Sequence, residues 1–198
     1  MQSARTSDLR GKVREAYSAA AHSPTDQHPF PVGRVFAESL GYPAALLDTL
    51  PSGAVEAFAG VSNVSLFAEI PEGATVLDLG CGAGLDSLVA ARRAGPSGKV
   101  IGIDFSETML GRARKAAQEA AVRNVSFEQA DAERLPLVPA SIDVALVNGI
   151  FNLNPARESI FRELARVLHP GGGVYAAELI LARALPANVQ QSDADWFA

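Results

Sequence analysis

The sequence predicts an α/β fold with a doubly wound, mostly parallel sheet, preceded by a helical N-terminal cap. From Thr75 onward, short apolar runs rich in Val and Ile alternate with longer amphipathic segments, as in repeated βα units. Gly, Pro, Asn or Asp bound these runs, as they commonly bound strands. The length of 198 residues suits one such domain with an extension, because two complete domains need more chain.

The apolar runs predict five strands. They are Thr75–Leu79, Lys99–Asp104, Val125–Gln129, 142–147 and 173–181, the last after a turn at Pro170-Gly171-Gly172. Ser106 is a suitable N-cap for a helix from Glu107 to about residue 121. Asn154 followed by Pro155 predicts another helix start. That second helix should face the sheet with a stripe formed by Ile160, Phe161, Leu164, Val167 and Leu168.

The first part of the chain has a different pattern, and we divide the chain into a cap, residues 1–72, and a sheet domain, residues 73–198. Helical pieces are predicted near 9–21, 33–40 and 44–49, with prolines between them. The cap lacks the alternation of a domain of its own. We therefore expect it to pack on the sheet domain.

Composition excludes several classes of protein. With 48% hydrophobic and 20% charged residues, the chain should fold, and no apolar run is long enough to span a bilayer, so we expect a cytoplasmic protein without a membrane partner. One Cys and three scattered His predict neither a disulfide nor a metal site. A net charge of -5 with dispersed basic residues argues against a nucleic-acid partner. A small-molecule partner is expected.

The main chemical motif lies where the first strand ends and a helix begins. It reads Asp78-Leu79-Gly80-Cys81-Gly82-Ala83-Gly84. Glycines at alternate positions permit a sharp turn and let a ligand approach the main chain. A dinucleotide loop needs G-x-G-x-x-G to receive a pyrophosphate, whereas here the spacing is G-x-G-x-G and Asp78 would repel phosphate. The loop favours a phosphate-free nucleoside with a cationic tail.

Polar residues also follow the next three strands. Asp104 ends the second strand, where a carboxylate can accept hydrogen bonds from both ribose hydroxyls of either cofactor class, or merely help to start the following helix. Asp131 follows the third strand and is suited to an adenine amine, although it can also be a solvated turn residue. Asn148 follows the fourth strand. Together these strand ends predict one ligand site.

These motifs resemble the class I S-adenosylmethionine-dependent methyltransferases, whose sheet is Rossmann-like. The resemblance runs in order through V-L-D-L-G-C-G-A-G, V-I-G-I-D-F-S-E-T-M-L, A-D-A-E-R-L-P, S-I-D-V-A-L-V-N and R-V-L-H-P-G-G, from about residue 74 to 181. Further segments, such as S-L-G-Y-P and N-L-N-P, resemble the arsenite methyltransferase-like branch, a neighbour of the quinone-biosynthesis (methyltransferase type 11) branch. In this family the sheet usually adds an antiparallel pair after strand five, for which the segment after residue 181 is too short.

The resemblance implies S-adenosyl-L-methionine as cofactor and gives the candidate residues a role each. Gly80, Gly82 and Gly84, with Asp78 and Cys81 in the same loop, should line the methionine part. Asp104 should bind the ribose, Phe105 and Met109 the adenine faces, and Asp131 with Ala132 the adenine edge. Asn148 should contact the methionine part through its backbone or amide, and Tyr17 resembles a tyrosine that closes over the cofactor.

The chain departs from the arsenite branch at the positions that bind arsenic. Arsenite methyltransferases carry a thiolate before the first strand and another after the strand-four asparagine, but here 58–63 and 148–151 contain no cysteine. Soft As(III) requires sulfur, so arsenite is not the expected acceptor. Cys81 is expected to be a small turn residue.

The catalytic residues and the exact activity stay open at this point. His22, His28, Tyr17, Tyr42 and Glu178 can each be near the strand ends, and none is assigned as a general base. A small-molecule methyltransferase is favoured over a cofactor-binding homologue without turnover and over a nicotinamide-dependent oxidoreductase. Either the chain is a piece of a longer protein, or strand five has a free edge that the cap or a second subunit should cover, and in the latter case a homodimer is expected.

Overall fold

The computed structural model describes residues 2–180, and the side chains of residues 11–180. Helices α1 to α5 come first in the chain, and strands and helices then alternate from β1 to β5, except that β4 follows β3 without a helix between them. The elements are α1 Gln2–His22, α2 Arg34–Ser39, α3 Ala44–Leu47, α4 Ser52–Glu56, α5 Val64–Phe67, β1 Thr75–Leu79, α6 Leu85–Ala94, β2 Lys99–Asp104, α7 Glu107–Glu119, β3 Val125–Gln129, β4 Ile142–Asn148, α8 Arg157–Val167 and β5 Leu168–Ala177.

The five strands form one parallel sheet in the order β3-β2-β1-β4-β5. At the carboxyl end of β1, Leu79 is in register with Ile103 of β2 on one side and with Val147 of β4 on the other. Chain order reverses between β1 and β4, and open α/β sheets bind ligands at such a switch point. The predicted doubly wound parallel sheet is confirmed.

Both faces of the sheet are covered. On one face, Leu77 and Leu79 share a buried cluster with Ile160 and Leu164 of α8. On the other, Val76 packs with residues of α6 and α5. Strands buried on both faces must be apolar throughout, which explains the near-continuous Val, Ile and Leu of β1 and β4.

The residues before β1 pack directly on the sheet domain. Tyr42, Leu47 and Phe58 belong to the same buried cluster as Leu85 and Leu88 of α6. The guanidinium of Arg112, on α7, donates hydrogen bonds to the carbonyl oxygens at the end of α1 and at Gly53. This mixed core agrees with a cap packed on the sheet, while the boundary at residue 72 stays a prediction.

Three predicted element boundaries are wrong, one of them the end of β5, which lies at Ala177 and not at residue 181. Strand β5 begins at Leu168, not at Gly173, because Leu168 already pairs with Ile142 and Gly173 then pairs with Val144, so that the intervening residues bulge from the strand instead of ending it. Helix α8 begins at Arg157, not at Pro155. The Asn154 Oδ1 accepts a hydrogen bond from the Ala156 N–H at 2.8 Å, which forms a turn ahead of the helix.

The predicted stripe of α8 is partly wrong. Ile160, Leu164 and Val167 are buried against the sheet, but Phe161 is 55% exposed and stacks on Phe151 with a centroid distance of 4.5 Å. Leu168, also placed on the stripe, is the first residue of β5. The predicted Ser106 cap is confirmed, since its hydroxyl accepts from the Met109 N–H at 3.4 Å.

The described sheet ends at β5, which pairs only with β4 among residues 2–180. The predicted shortage of antiparallel strands after β5 concerns residues outside the described range. Within that range, no helix has the length and apolar character needed to cross a membrane.

Candidate functional site

The glycine-rich turn joins β1 to α6 at the switch point of the sheet. Gly80, Gly82 and Gly84 have φ angles of 77°, 51° and 88°, a left-handed region that favours glycine. The N–H groups of Gly80 and Cys81 both donate to the Ile103 carbonyl oxygen, at 2.8 and 3.0 Å. The turn is therefore fastened to β2 and holds its shape beside a deep cleft.

This cleft lies over the carboxyl ends of the strands and encloses about 1160 Å³ of empty space, part of it open to solvent. Its walls come from α1, the segment 54–60, the glycine-rich turn and the residues that follow β2, β3 and β4. The predicted site residues that line it are Tyr17, Asp78, Gly80, Cys81, Gly82, Asp104, Phe105, Met109, Asp131, Ala132 and Asn148. The topology brings these residues together from five separate parts of the chain.

Gly84 is the predicted site residue that does not line the cleft. A Cβ atom at Gly84 would lie 3.0 Å from the Cβ of Ala113 on α7 and 3.3 Å from the ring of Phe127. Gly84 therefore allows α6 to begin close to α7. By contrast, a Cβ atom at Gly82 would meet no protein atom within 4 Å, so Gly82 keeps space free in the cleft.

Asp104 is buried at the end of β2 and is held by two backbone groups. Its Oδ2 accepts from the Gly82 N–H at 2.9 Å, and its Oδ1 accepts from the Ser106 N–H at 2.8 Å. Burial raises the pKa of this carboxyl, and these hydrogen bonds partly oppose the rise. Each oxygen keeps further acceptor capacity for a ligand in the cleft. Asp104 thus contacts the start of the helix and also lines the cleft, while its contact with a ribose stays a prediction.

Asp78 is buried at the base of the cleft. The Ser87 hydroxyl donates to Asp78 Oδ2 at 2.5 Å. Burial, followed by the charge of Asp86, raises the pKa of Asp78 to about 8, while Asp104 adds a smaller effect in the same direction. At neutral pH the carboxyl therefore favours its protonated form in the ligand-free protein.

Helix α1 forms one wall of the cleft. Tyr17 stacks on Phe30 at a centroid distance of 4.4 Å, and burial, together with the charge of Asp104, raises the pKa of its phenol. Arg14 lies over the ring of Phe105, with its guanidinium carbon 5.7 Å from the ring centroid. Sequence reasoning missed Arg14, because a cation–π contact between residues so far apart in the chain leaves no local pattern.

Residues after β3 form the outer rim of the cleft. Asp131 is exposed, and Ala132 and Glu133 are partly buried beside it. The Asn154 Nδ2 donates to Glu133 Oε1 at 2.7 Å, which ties this rim to the turn before α8. The rim is therefore polar and accessible to a ligand.

The side chain of Asn148 is occupied by protein contacts. Its Oδ1 accepts from the N–H groups of Val61 and Ser62, and its Nδ2 donates to the Ser62 carbonyl and to Asp86 Oδ2, the last at 2.9 Å. Asn148 was predicted to contact a ligand through its backbone or through its side-chain amide. The amide is already hydrogen-bonded to protein groups, which leaves the backbone for a ligand. Asp86 also lines the cleft and was missed, although its place in the first turn after the glycine loop was a usable signal.

Cys81 is buried within the turn. Burial, and then the charges of Asp104 and Asp78, raise the pKa of its thiol well above the usual range. A neutral buried thiol is a weak nucleophile. This environment agrees with the expected role of a small turn residue.

The cleft is strongly acidic. Asp78, Asp86, Asp104, Asp131 and Glu133 line it, and Arg14 is the only basic residue among the described lining residues. Asp78, Asp86 and Asp104 form no ion pair with another described side chain. A positively charged ligand would reduce their mutual repulsion, whereas a pyrophosphate would increase it. The cleft therefore fits a nucleoside with a cationic tail.

Comparison with known proteins identifies the family. A family described as "Methyltransferase domain" matches residues 70–197. The chain is 37% identical over 153 residues to an arsenite methyltransferase of Halobacterium salinarum, covering 77% of this chain and 39% of that protein. It is 41% identical over 106 residues to a demethylmenaquinone methyltransferase of Lactococcus lactis, covering 54% of this chain and 42% of that protein.

A solved structure gives the same result. CrArsM, an arsenic(III) S-adenosylmethionine methyltransferase from Chlamydomonas reinhardtii, superposes with a TM-score of 0.62 at 28% identity, covering 85% of this chain and 57% of that one. The chain spans about two fifths of the length of the curated relatives it matches. Because the family match covers more than half of the chain, the protein belongs to the methyltransferase-domain family, for which S-adenosylmethionine is the implied cofactor.

Proposed function

We propose that this chain is an S-adenosylmethionine-dependent methyltransferase that acts on a small-molecule acceptor other than arsenite. The observation that carries the proposal is the acidic cleft at the switch point of the sheet, with buried Asp78, Asp86 and Asp104 around a glycine-rich turn. When bound, the cofactor supplies an electrophilic methyl group on a sulfonium. The negative carboxylates stabilise the positive charge of the sulfonium, and the turn leaves room for the methionine part.

The remaining predicted residues have compatible places around the cleft. Asp104 holds the ribose, Phe105 and Met109 flank the adenine, and Asp131 with Ala132 lies at the adenine edge. Gly80 and Gly82 line the methionine part, which meets the backbone at Asn148 because the amide is engaged elsewhere. Tyr17 closes over the cofactor from α1. Residues that held the cofactor in this way would orient its methyl group toward an acceptor in the same cleft, which would favour transfer by bringing the reacting atoms close together.

The acceptor side of the cleft is apolar. Ala54, Ala57 and Phe58 line it from the cap, and Ile150 and Leu153 from the segment after β4. This wall fits a small apolar or aromatic acceptor. Arsenite does not fit, because the only cysteine is Cys81 and its thiol lies in the glycine turn.

Mass spectrometry of reaction mixtures tests the proposal. The full chain is incubated with S-adenosylmethionine and a panel of hydroquinones, phenols, amines and arsenite, and the products are analysed for an added methyl group. We expect methylation of an apolar aromatic acceptor and none of arsenite. Methylated arsenic would contradict the assignment of the acceptor class.

A second candidate is a homologue that binds the cofactor without transferring its methyl group. It is favoured by the raised pKa values of the Tyr17 phenol and the Cys81 thiol, which keep both groups neutral and leave neither of them as a base. Cofactor binding without product across the panel would support it. A nicotinamide-dependent oxidoreductase is disfavoured by Asp78 and by the glycine spacing.

The pH dependence of cofactor binding should report the ionisation of Asp78. Its pKa is about 8 in the ligand-free protein, and a cation beside it stabilises the ionised form, so binding releases a proton. We expect the dissociation constant for S-adenosylmethionine to fall as pH rises from 6 to 8, by up to about tenfold per pH unit. Calorimetry in buffers of different ionisation enthalpy measures both effects. Asp78→Asn should flatten the profile, and an identical profile in both proteins would contradict this account.

The location and assembly of the protein are also proposals. A cytoplasmic protein without a nucleic-acid partner is consistent with the net charge of -5. A homodimer would cover the edge of β5, where Val174 is 43% exposed. Analytical ultracentrifugation of the full chain should show a dimer, whereas a monomer at all concentrations would contradict it.

A further inference from the structure

We infer that Asp86 is a positioning residue that holds cap segment 60–62 against the carboxyl end of β4 and so fixes one wall of the cleft. Asp86 lies in the first turn of α6 and is 7% exposed. Its effect on cofactor binding rests on the function proposed above. Its effect on the position of the segment does not depend on that function.

Asp86 receives hydrogen bonds from two directions. The Tyr42 hydroxyl and, at 3.3 Å, the Ser65 N–H donate to Oδ1 from the cap side. The Asn148 Nδ2 donates to Oδ2 from the end of β4 at 2.9 Å. One carboxylate therefore links the cap, α6 and β4.

Asn148 extends this link to the cap segment. Its Oδ1 accepts from the Val61 N–H at 2.8 Å and from the Ser62 N–H at 3.2 Å, and its Nδ2 also donates to the Ser62 carbonyl at 2.8 Å. The contact is close, because a Cβ atom at Gly60 would lie 2.5 Å from Asn148 Nδ2. Asp86 thus fixes the orientation of the amide, and the amide fixes the segment.

The chemistry requires a carboxylate at residue 86. Both of its oxygens accept, whereas an asparagine there would direct an NH₂ group either at the Asn148 NH₂ or at the Ser65 N–H, and either contact would join two donors. Rotating the Asn148 amide to compensate would lose the acceptor of the Val61 and Ser62 N–H groups. Since Gly60, Asp86 and Asn148 all line the cleft, the loss would change the shape of its wall.

Hydrogen exchange of the ligand-free full chain tests the inference. In Asp86→Asn, peptides covering residues 58–63 should exchange about tenfold faster than in the wild type, because the N–H groups of Val61 and Ser62 lose their oriented acceptor. Tyr42→Phe removes one donor only and should show a smaller increase, which keeps the test available if Asp86→Asn fails to fold.

Arg92→Met is the matched control. Arg92 also joins α6 to the cap, by hydrogen bonds to the hydroxyl and carbonyl of Thr49, but neither residue lines the cleft. Arg92→Met should lower the free energy of unfolding of the whole chain. It should not make peptides covering residues 58–63 exchange faster than other peptides of the cap. Equal exchange in the Asp86 and Arg92 variants would overturn the inference and leave Asp86 as a general stabilising contact.

Calorimetric titration separates this inference from the proposed function. Asp86→Asn should weaken S-adenosylmethionine binding about tenfold, and Arg92→Met should leave the dissociation constant unchanged. Failure of the wild type to bind would contradict the proposed function alone, because the exchange result stands without a ligand. Faster exchange with unchanged affinity would overturn the link between segment 60–62 and the cofactor site.

Discussion

Replacing Asp104 by alanine is expected to weaken S-adenosylmethionine binding by at least about 100-fold. In our account the carboxylate accepts hydrogen bonds from both ribose hydroxyls, and bonds to a charged acceptor contribute about 1.5–3 kcal/mol each. The substitution also removes the acceptor of the Gly82 N–H and so loosens the turn that lines the cleft. Calorimetric titration of the purified variant measures the loss.

Asp143→Ala is the matched control for this prediction. Asp143 is likewise a strand aspartate that accepts from a backbone N–H, that of Thr75 at 2.8 Å, but it does not line the cleft. Its replacement should change stability without changing the dissociation constant. If both variants bound the cofactor like the wild type, the ribose assignment would be wrong.

A valine at position 82 is expected to abolish cofactor binding while the protein still folds. Gly82 lines the cleft, and a side chain there would meet no protein atom within 4 Å, so it would fill space reserved for the ligand. The φ angle of 51° adds backbone strain of about 1–3 kcal/mol for a non-glycine residue. Circular dichroism and calorimetric titration measure folding and binding separately.

Gly171→Val separates backbone strain from blockage of the cleft. Gly171 has a φ angle of 89° and open space around its Cβ position, but it lies in the bulged part of β5. The two variants should lose similar stability, and only Gly82→Val should lose binding. Normal binding by Gly82→Val would place the methionine part elsewhere.

The strands of the sheet could be predicted closely because their signal is local. Val76, Leu77 and Leu79 lie in a short apolar run bounded by turn residues, and burial on both faces requires such a run. The start of β5 could not be predicted in the same way. Pro170-Gly171-Gly172 has the composition of a turn, and only the pairing with β4 shows that the strand passes through it as a bulge.

The candidate site was predictable where its residues follow strands. Asp78, Asp104, Asp131 and Asn148 lie at or after strand ends, and parallel strands bring such positions to one edge of a sheet. The contacts of Asp86 with Tyr42 and Asn148 were not predictable, because they join positions far apart in the chain through side chains whose directions depend on packing. Gly84 was predicted to line the site because it belongs to the glycine motif, but it instead allows α6 to pack close to α7.

We expect the acidic cleft to bind a nucleoside with a cationic tail. Calorimetric titration of the full chain with S-adenosylmethionine and, separately, with NADH tests it most directly. We predict one molecule of S-adenosylmethionine bound per chain, with proton release near neutral pH, and no binding of NADH. Binding of NADH without binding of S-adenosylmethionine would contradict the account.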